Sequence, residues 1–376
     1  MSTIEDDYQQ LEHWLRRSPV IAEIHPLAPL ALSEPVRVLN SASSSIIELD
    51  DCEFITNDAI LILNADARLI DRFPVLHIVE HPPVAAVNQH MHCHLDYIRE
   101  HLLTSHKVAD KIINDVGTRR YDVIILMLID GLSYGDTLDW KTKVTPCFID
   151  GPTVTYRTHD DGQVLQDVGF ASIINRPSIF TRLSKHGYPN AAGFTYWKTE
   201  TNTISDHLFE RIPTIQVANF EAILREIDSL NISCPTYIQV LREGLDGMAH
   251  SKRELSRSEI EGALVAIQYD IERLLNAIST KHLTACVYVT ADHGVLWKNE
   301  HNWQLRDLPG SKPRYTETKL SGDEAFCSVQ FERSGRKYNV FKYPYLGSRI
   351  RSDDSGVHGG LSYQESFVPF IKFEVN

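Results

Sequence analysis

The sequence predicts an α/β protein, a mostly parallel sheet flanked by helices, with a smaller α/β domain ahead of it. Three observations predict this. Two runs, Val123 to Ile129 and Cys286 to Thr290, are unbroken apolar stretches rich in β-branched residues, as strands buried on both faces require. Each run stops at polar and turn residues, Asp130-Gly131 in the first case and Asp292-His293-Gly294 in the second. In open parallel sheets ligands bind outside such carboxyl ends. Finally, Ile260, Leu264, Ile267, Ile271, Leu274 and Ile278 form one face of a helix from about Ser256 to Ser279, and that helix leads directly into the second run.

The elements follow in order. Tyr8, Leu11, Trp14 and Leu15 are at helical spacing, so the chain opens on a helix to about Arg17. VRVLN (Val36 to Asn40), SIIEL (Ser45 to Leu49), AILILNA (Ala59 to Ala65) and VLHIVE (Val75 to Glu80) are short apolar runs between turn residues, the pattern of a small α/β domain over residues 1–88. Pro82-Pro83 punctuates the chain. Leu95, Ile98, Leu102, Val108 and Ile112 then predict helices in a linker over 89–120. The main domain spans 121–376. Within it TYIQVL (Thr236 to Leu241) reads as a further strand, residues 298 to 352 are polar and turn-rich with β-like pieces at Cys327 to Phe331 and Tyr338 to Phe341, and SFVPFIKFEV closes the chain as a strand interrupted by Pro369.

Composition narrows the partners. A length of 376 residues and an apolar share of 43% support a sizeable core. The net charge of -13 argues against a general nucleic-acid-binding or anionic-membrane surface, which needs basic patches, but is compatible with a nucleotide in a metal-lined pocket. No apolar run reaches transmembrane length, the acidic start MSTIEDDYQQLEHW lacks the pattern of a secretory signal, and six cysteines are scattered singly. A cytoplasmic location is the expectation.

Four stretches place metal-type ligands just after apolar segments. These are Asp130; Asp246 and His250 in REGLDGMAHSK; Asp292 and His293; and His358, followed by two glycines. Asp246 and His250, four apart, share one helical face, which serves a surface ion pair as well as two ligands of one ion. Together the four stretches supply three carboxylates and three imidazoles, enough for two ions with mixed nitrogen and oxygen ligands.

The ordered motifs IDGL (Ile129 to Leu132), PTVT (Pro152 to Thr155), GLDGMAH (Gly244 to His250), TADHGV (Thr290 to Val295) and HGGLSYQESFVP (His358 to Pro369) resemble the alkaline phosphatase superfamily, and the last is similar to its PglZ-type domain. The resemblance covers about Tyr121 to Asn376. It implies an alkaline-phosphatase-like fold and a two-metal phosphoesterase, with Zn²⁺ as the expected ion and Mn²⁺ or Mg²⁺ as alternatives. Asp246, His250 and His358 would hold one metal, Asp130, Asp292 and His293 the other, and Thr155 would be the nucleophile. A threonine hydroxyl becomes effective where a metal favours its alkoxide. Because YRTHDDGQVLQD follows Thr155 like an insertion, Thr153, Thr158 and Ser172 stay open for that role, and the competing reading of PTVT is an edge strand with proline at its start.

PglZ-type resemblance implies a nucleotide or oligonucleotide phosphodiester as substrate, in a phage-defence setting. A phosphate monoesterase or phosphomutase on a small metabolite is the alternative, and a non-catalytic, metal-stabilised partner in a larger assembly the rival of another class. The role of the N-terminal domain stays open between substrate selection and the docking of protein partners. Lys298, His301 and Asn302 lie just past the DHG motif and read equally as substrate-phosphate candidates or as a solvated loop. His90, His92, His94 and Cys93 read as partly exposed linker residues rather than a further metal site, Asp160 and Asp161 as turn residues, and the aromatics of GFTYWKTETN as core rather than base-stacking groups.

Overall fold

The computed structural model describes residues 20–33, 39–40, 55–56, 59–63, 75–78, 81–150, 154–157, 164–167, 179–196, 212–250, 255–298, 303–306, 314–316, 325–330, 337–347 and 354–376. The expected helix before Arg17 and the SIIEL run lie outside them. The chain divides into two compact units, residues 1–102 and 103–376.

In the first unit, β1 (Val20–Ile24), β2 (Leu39–Asn40), β3 (Ile55–Thr56), β4 (Ala59–Leu63) and β5 (Val75–Ile78) form one sheet in the order β2-β4-β1-β5, parallel throughout, with β3 antiparallel on β4. The AILIL and VLHI runs are β4 and β5, while β1 was not singled out by its sequence. Pro83 then caps α1 (Val84–His90), a 3-10 turn covers Met91–Cys93, and α2 (Leu95–His101) follows.

The second unit is built on a mixed sheet of eight strands. Its members are β6 (Leu103–Thr104), β7 (Val123–Ile129), β8 (Val144–Phe148), β11 (Asn190–Thr195), β12 (Thr214–Gln216), β13 (Thr236–Arg242), β14 (Ala285–Ala291) and β22 (Phe367–Val375). Between them, β9 (Val154–Arg157) and β10 (Val164–Asp167) form a separate antiparallel pair. The order is β12-β11-β13-β7-β14-β22-β8-β6. The five strands from β12 to β14 are parallel, and β22 enters antiparallel to both of its neighbours.

Every residue of β7 and β14 is buried, so both faces of the sheet centre are covered. Helices α3 (Val108–Thr118) and α4 (Ile179–Lys185) pack together as one pair, and α5 (Phe220–Ser229) and α7 (Arg257–Thr280) as another. The short α6 (Asp246–Ala249) lies between β13 and α7. Helix α7 buries the six residues whose spacing predicts it, and Ser256 and Glu259 close its first turn as a capping box. Among the described residues, no helix is long and apolar enough to cross a membrane.

The final strand runs through Pro369 rather than breaking there. Its pairing with β14 begins at Ile371, so the N–H that proline lacks falls beyond that ladder, and on the other side Pro369 faces Pro146. Smaller strands follow β14. β15 (Leu296–Trp297) pairs with β21 (Gly356–Val357), β16 (Gln304–Arg306) with β20 (Tyr345–Gly347), and β19 (Lys337–Phe341) lies between β17 (Tyr315–Thr316) and β18 (Phe326–Gln330). The last helix, α8 (Tyr363–Ser366), is one turn N-capped by Ser362.

Candidate metal centre

Strand register creates the first half of the site. β7 and β14 are parallel with Ile129 opposite Ala291, so the next residues, Asp130 and Asp292, emerge side by side at the carboxyl edge. Asp292 Oδ1 accepts hydrogen bonds from the backbone N–H of Gly131 at 3.1 Å and of His293 at 2.9 Å. His293 Nδ1–H donates to the Gly294 carbonyl at 3.1 Å, since a carbonyl can only accept. Its Nε2 is thereby turned toward the carboxylates, 3.6 Å from Asp130 Oδ1 and 3.6 Å from Asp292 Oδ2.

The neighbouring strand supplies the second half. Arg242 at the end of β13 lies opposite Ile129, and the Asp130 N–H donates to the Arg242 carbonyl at 3.0 Å, which brings the start of α6 against the same edge. Backbones meet closely there. A Cβ at Gly244 would overlap the Asp130 carbonyl, and Gly131, at φ 75°, would carry its Cβ 2.7 Å from the Asp246 nitrogen. Asp246 Oδ1 gathers the remaining imidazoles: His250 Nε2 lies 3.4 Å away, His358 Nε2 3.4 Å and His293 Nε2 3.9 Å. The rings of His293 and His358 stack with centroids 3.8 Å apart and planes 6° from parallel.

Thus all six sequence-predicted ligands converge from four separate loops. Among the described residues, two groups bring three ligand atoms within 4.8 Å of one another, Asp130 with Asp292 and His293, and Asp246 with His293 and His358. His293 belongs to both and His250 to neither, its Nε2 lying 3.4 Å from Asp246 Oδ1 alone. Asp246 Oδ1 is buried with no hydrogen bond of normal length, and the groups facing it are three imidazole nitrogens at 3.4–3.9 Å, a spacing that leaves room for a cation between them. Three carboxylates and three imidazoles in this space are a fitting donor set for divalent ions such as Zn²⁺.

The electrostatics carry the same message. Burial first, and then the charges of Asp246 and Asp292, push the Asp130 carboxyl well above the ordinary carboxylate range. Burial likewise raises Asp292, against the opposing effect of His293. For Asp246 burial acts upward too, but His358, His250 and His293 outweigh it and hold the carboxyl well below its usual range. The Asp246 carboxylate raises His250 to about 9, with burial opposing and Asp354 assisting.

Other candidates are placed differently. Thr155 lies in β9, its backbone opposite Gln166 of β10. Thr153, Thr158, Ser172, Asp160, Asp161, His301 and Asn302 lie outside the described residues. Lys298 directly follows β15, and its N–H donates to the Ser355 carbonyl at 2.9 Å. In the first unit His94 is buried with Nε2 donating to the Leu32 carbonyl at 2.8 Å, and His92 sits 3.3 Å from Cys93 at the surface. Phe194 of GFTYWKTETN is core.

Several residues around the site were not legible as functional. Ser133 donates to the Gln364 carbonyl at 2.6 Å and accepts from the Val295 N–H at 3.2 Å, tying the loops after β7, β14 and β21 together. Glu365, quoted in the HGG motif without a role, forms a fully buried bidentate pair with Arg314 at 2.8 and 2.7 Å, accepts from the Gly360 N–H at 3.1 Å, and its carbonyl accepts from the Gly294 N–H at 2.9 Å. The glutamate had a motif position as its signal; Arg314, within SKPRYT, had none. Asp354, 3.5 Å from His250 Nδ1, was equally silent.

No family model matches the chain, and no curated protein does. Solved structures do. The chain is similar to murine ectonucleotide pyrophosphatase/phosphodiesterase 5 at 13% identity and a TM-score of 0.44, over 66% of this chain and 87% of that one. It is also similar to the C-terminal periplasmic domain of phosphoethanolamine transferase EptC from Campylobacter jejuni, at 10% identity and 0.33 over 67% and 78% of the two chains. The corresponding Escherichia coli domain in complex with Zn matches at 13% identity and 0.31, over 47% and 65%.

Proposed function

We propose that this chain is a two-metal phosphoesterase of the alkaline phosphatase superfamily, PglZ-type, that cleaves a nucleotide or oligonucleotide phosphodiester. The observation that carries the reading is the convergence of Asp130, Asp246, His250, Asp292, His293 and His358 around a buried carboxylate oxygen that three imidazoles approach at 3.4–3.9 Å. The order of IDGL, PTVT, GLDGMAH, TADHGV and HGGLSYQESFVP supports the superfamily assignment.

Asp130, Asp292 and His293 would hold one ion, and Asp246, His250 and His358 the other. Bound ions would supply charge stabilisation to the attacking and leaving oxygens of an in-line displacement. The chain's own residues prepare for this. The Gly131 and His293 N–H groups orient Asp292, and the Gly294 carbonyl keeps the His293 proton on Nδ1, so Nε2 faces the site as a lone pair. Thr155 is assigned as nucleophile on its motif. Its Oγ, releasing its proton to solvent, would form a bond to phosphorus as the bond to the leaving alcohol breaks and that alcohol takes up a proton from solvent; water would then hydrolyse the resulting threonine phosphodiester and release a phosphate monoester.

The test is metal content of the purified chain together with hydrolysis of a generic phosphodiester and a generic monoester, with and without Zn²⁺ and Mn²⁺. About two ions per chain and faster diester cleavage are expected. Faster monoester cleavage would move the assignment to a phosphatase, and neither metal nor turnover would leave the scaffold reading. Thr155→Ala is expected to lower turnover by about 10³-fold or more. If it leaves the rate intact while Asp292→Ala abolishes it, water rather than Thr155 is the nucleophile.

A further inference from the structure

His250 has a carboxylate on each side of its ring. Nε2 lies 3.4 Å from Asp246 Oδ1, and Nδ1 lies 3.5 Å from Asp354 Oδ1. The two carboxylates are not equivalent. Asp246 Oδ1 is the atom on which three imidazoles converge, whereas Asp354 approaches from the opposite edge of the ring, away from that point of convergence.

The backbone places Asp354 where it is. Ser355 N–H donates to the Ala249 carbonyl, the residue before His250, at 2.7 Å, and the Ser355 carbonyl accepts from Lys298 N–H at 2.9 Å. Gly356 and Val357 then pair with Trp297 and Leu296. A Cβ on Gly356 would come within 2.6 Å of a Val295 methyl and 3.0 Å of the Ala249 Cβ, so any larger residue there would push this segment or its neighbours apart. One short stretch, pinned at three points, therefore delivers Asp354 to the far nitrogen of His250 and, four residues later, His358 to Asp246. Asp354 itself is buried while the His250 side chain is 43% exposed, so the rigid partner of the pair is the carboxylate.

We infer that Asp354 is a positioning residue for the metal centre: it takes the Nδ1 proton of His250, fixes the tautomer that presents Nε2 beside Asp246, and restrains a ring that the surface would otherwise leave free to turn. Carboxylates in this outer position orient metal-bound histidines and raise their basicity. His293 receives the same service from the Gly294 carbonyl. The inference rests on the reading of the cluster as a metal centre, and the experiment separates the two.

Zn²⁺ affinity of the full-length protein is measured by competition with a chromogenic chelator, for wild type, Asp354→Ala, Asp354→Asn, His250→Ala and the Asp354→Ala/His250→Ala double variant, with near-ultraviolet circular dichroism as the check on folding. Asp354→Ala is expected to weaken one of two ions by about 10–100-fold and to spare the other. Asp354→Asn, whose amide oxygen still accepts from Nδ1–H, is expected to lose less, and it carries the test should the alanine variant not fold. In the His250→Ala background Asp354→Ala should add nothing, a non-additivity that a purely structural role would not produce. With Co²⁺ in place of Zn²⁺, the visible spectrum of Asp354→Asn should keep the wild-type envelope. Unchanged affinity in both Asp354 variants of a wild type that binds two ions, additive losses, or a changed Co²⁺ envelope marking Asp354 as a ligand would each overturn the inference. A wild type that binds no ion would instead overturn the metal-centre reading and the inference with it.

Discussion

Asp130, Asp292 and His293 are held by backbone at strand ends, whereas His250 and His358 reach the shared Asp246 carboxylate from the surface. The side chain of His293 is 6% exposed and that of His250 43%. Two parallel strands in fixed register put the first three residues in place before any ligand arrives, so the closed half of the site is preformed. It is also electrostatically unfinished, because burial crowds Asp130 and Asp292 with no cation and raises both carboxyls. The open half contains its own counter-charge. The Asp246 carboxylate raises His250 to about 9, and the imidazoles around it hold the Asp246 carboxyl low. Closure and charge compensation are thus divided between the halves, with His293 common to both.

Removing that common residue has the largest expected effect. His293→Ala should lose both ions and lower phosphodiester turnover by about 10³-fold or more, while His250→Ala should retain the ion of the closed half. Metal analysis after gel filtration decides it, and equal losses in the two variants would remove the distinction between halves.

Breaking the tie between the two halves comes next. Glu365 joins the Gly294 turn to the Gly360 turn, and Glu365→Ala leaves Arg314 buried without its partner. We expect about 3–5 kcal/mol of destabilisation in urea unfolding. A loss near zero would mean that the pair relaxes into solvent.

The pH dependence sharpens the charge contrast. The folded pKa values of Asp130, Asp292 and His250 are raised, so their stabilising contributions are present below the unfolded values, near 4 for the carboxylates and about 6.5 for histidine, and are lost as pH rises through the folded values. Asp246, held low, contributes fully above about pH 4 and is flat across this window. The melting temperature of the metal-free protein should therefore fall between about pH 5 and pH 9, and Zn²⁺ should flatten the fall. A melting temperature that rises over that range would contradict the assignment. The smallest effect is expected for Ser133→Ala, which removes two hydrogen bonds linking the loops and should cost about 1–2 kcal/mol in the same unfolding measurement.

Legibility in the sequence followed periodicity. The β7 and β14 runs and the apolar stripe of α7 were readable because burial on two faces or on one helical stripe imposes a local pattern. The six candidate ligands were readable because each sits at the carboxyl end of such an element or in a quoted motif. β1 was missed, although Ser18-Pro19 and Pro26 bracket VIAEI as turn residues would, because Glu23 interrupts its apolar run. Pro369 suggested an interruption because a single sequence does not reveal where a neighbouring ladder stops.

From the order of residues alone came the α/β class, the strands that end in acids and histidines, and the chemistry those side chains share. These are short-range consequences of burial and of donor type. Only the tertiary structure decided that Asp130 and Asp292 stand abreast, that three imidazoles close on Asp246 Oδ1, and that Asp354, Ser133 and the Arg314–Glu365 pair brace the loops around it. Those facts depend on strand register and on contacts between residues far apart in the chain, such as Ser133 with Gln364 and Arg314 with Glu365. No local pattern encodes them.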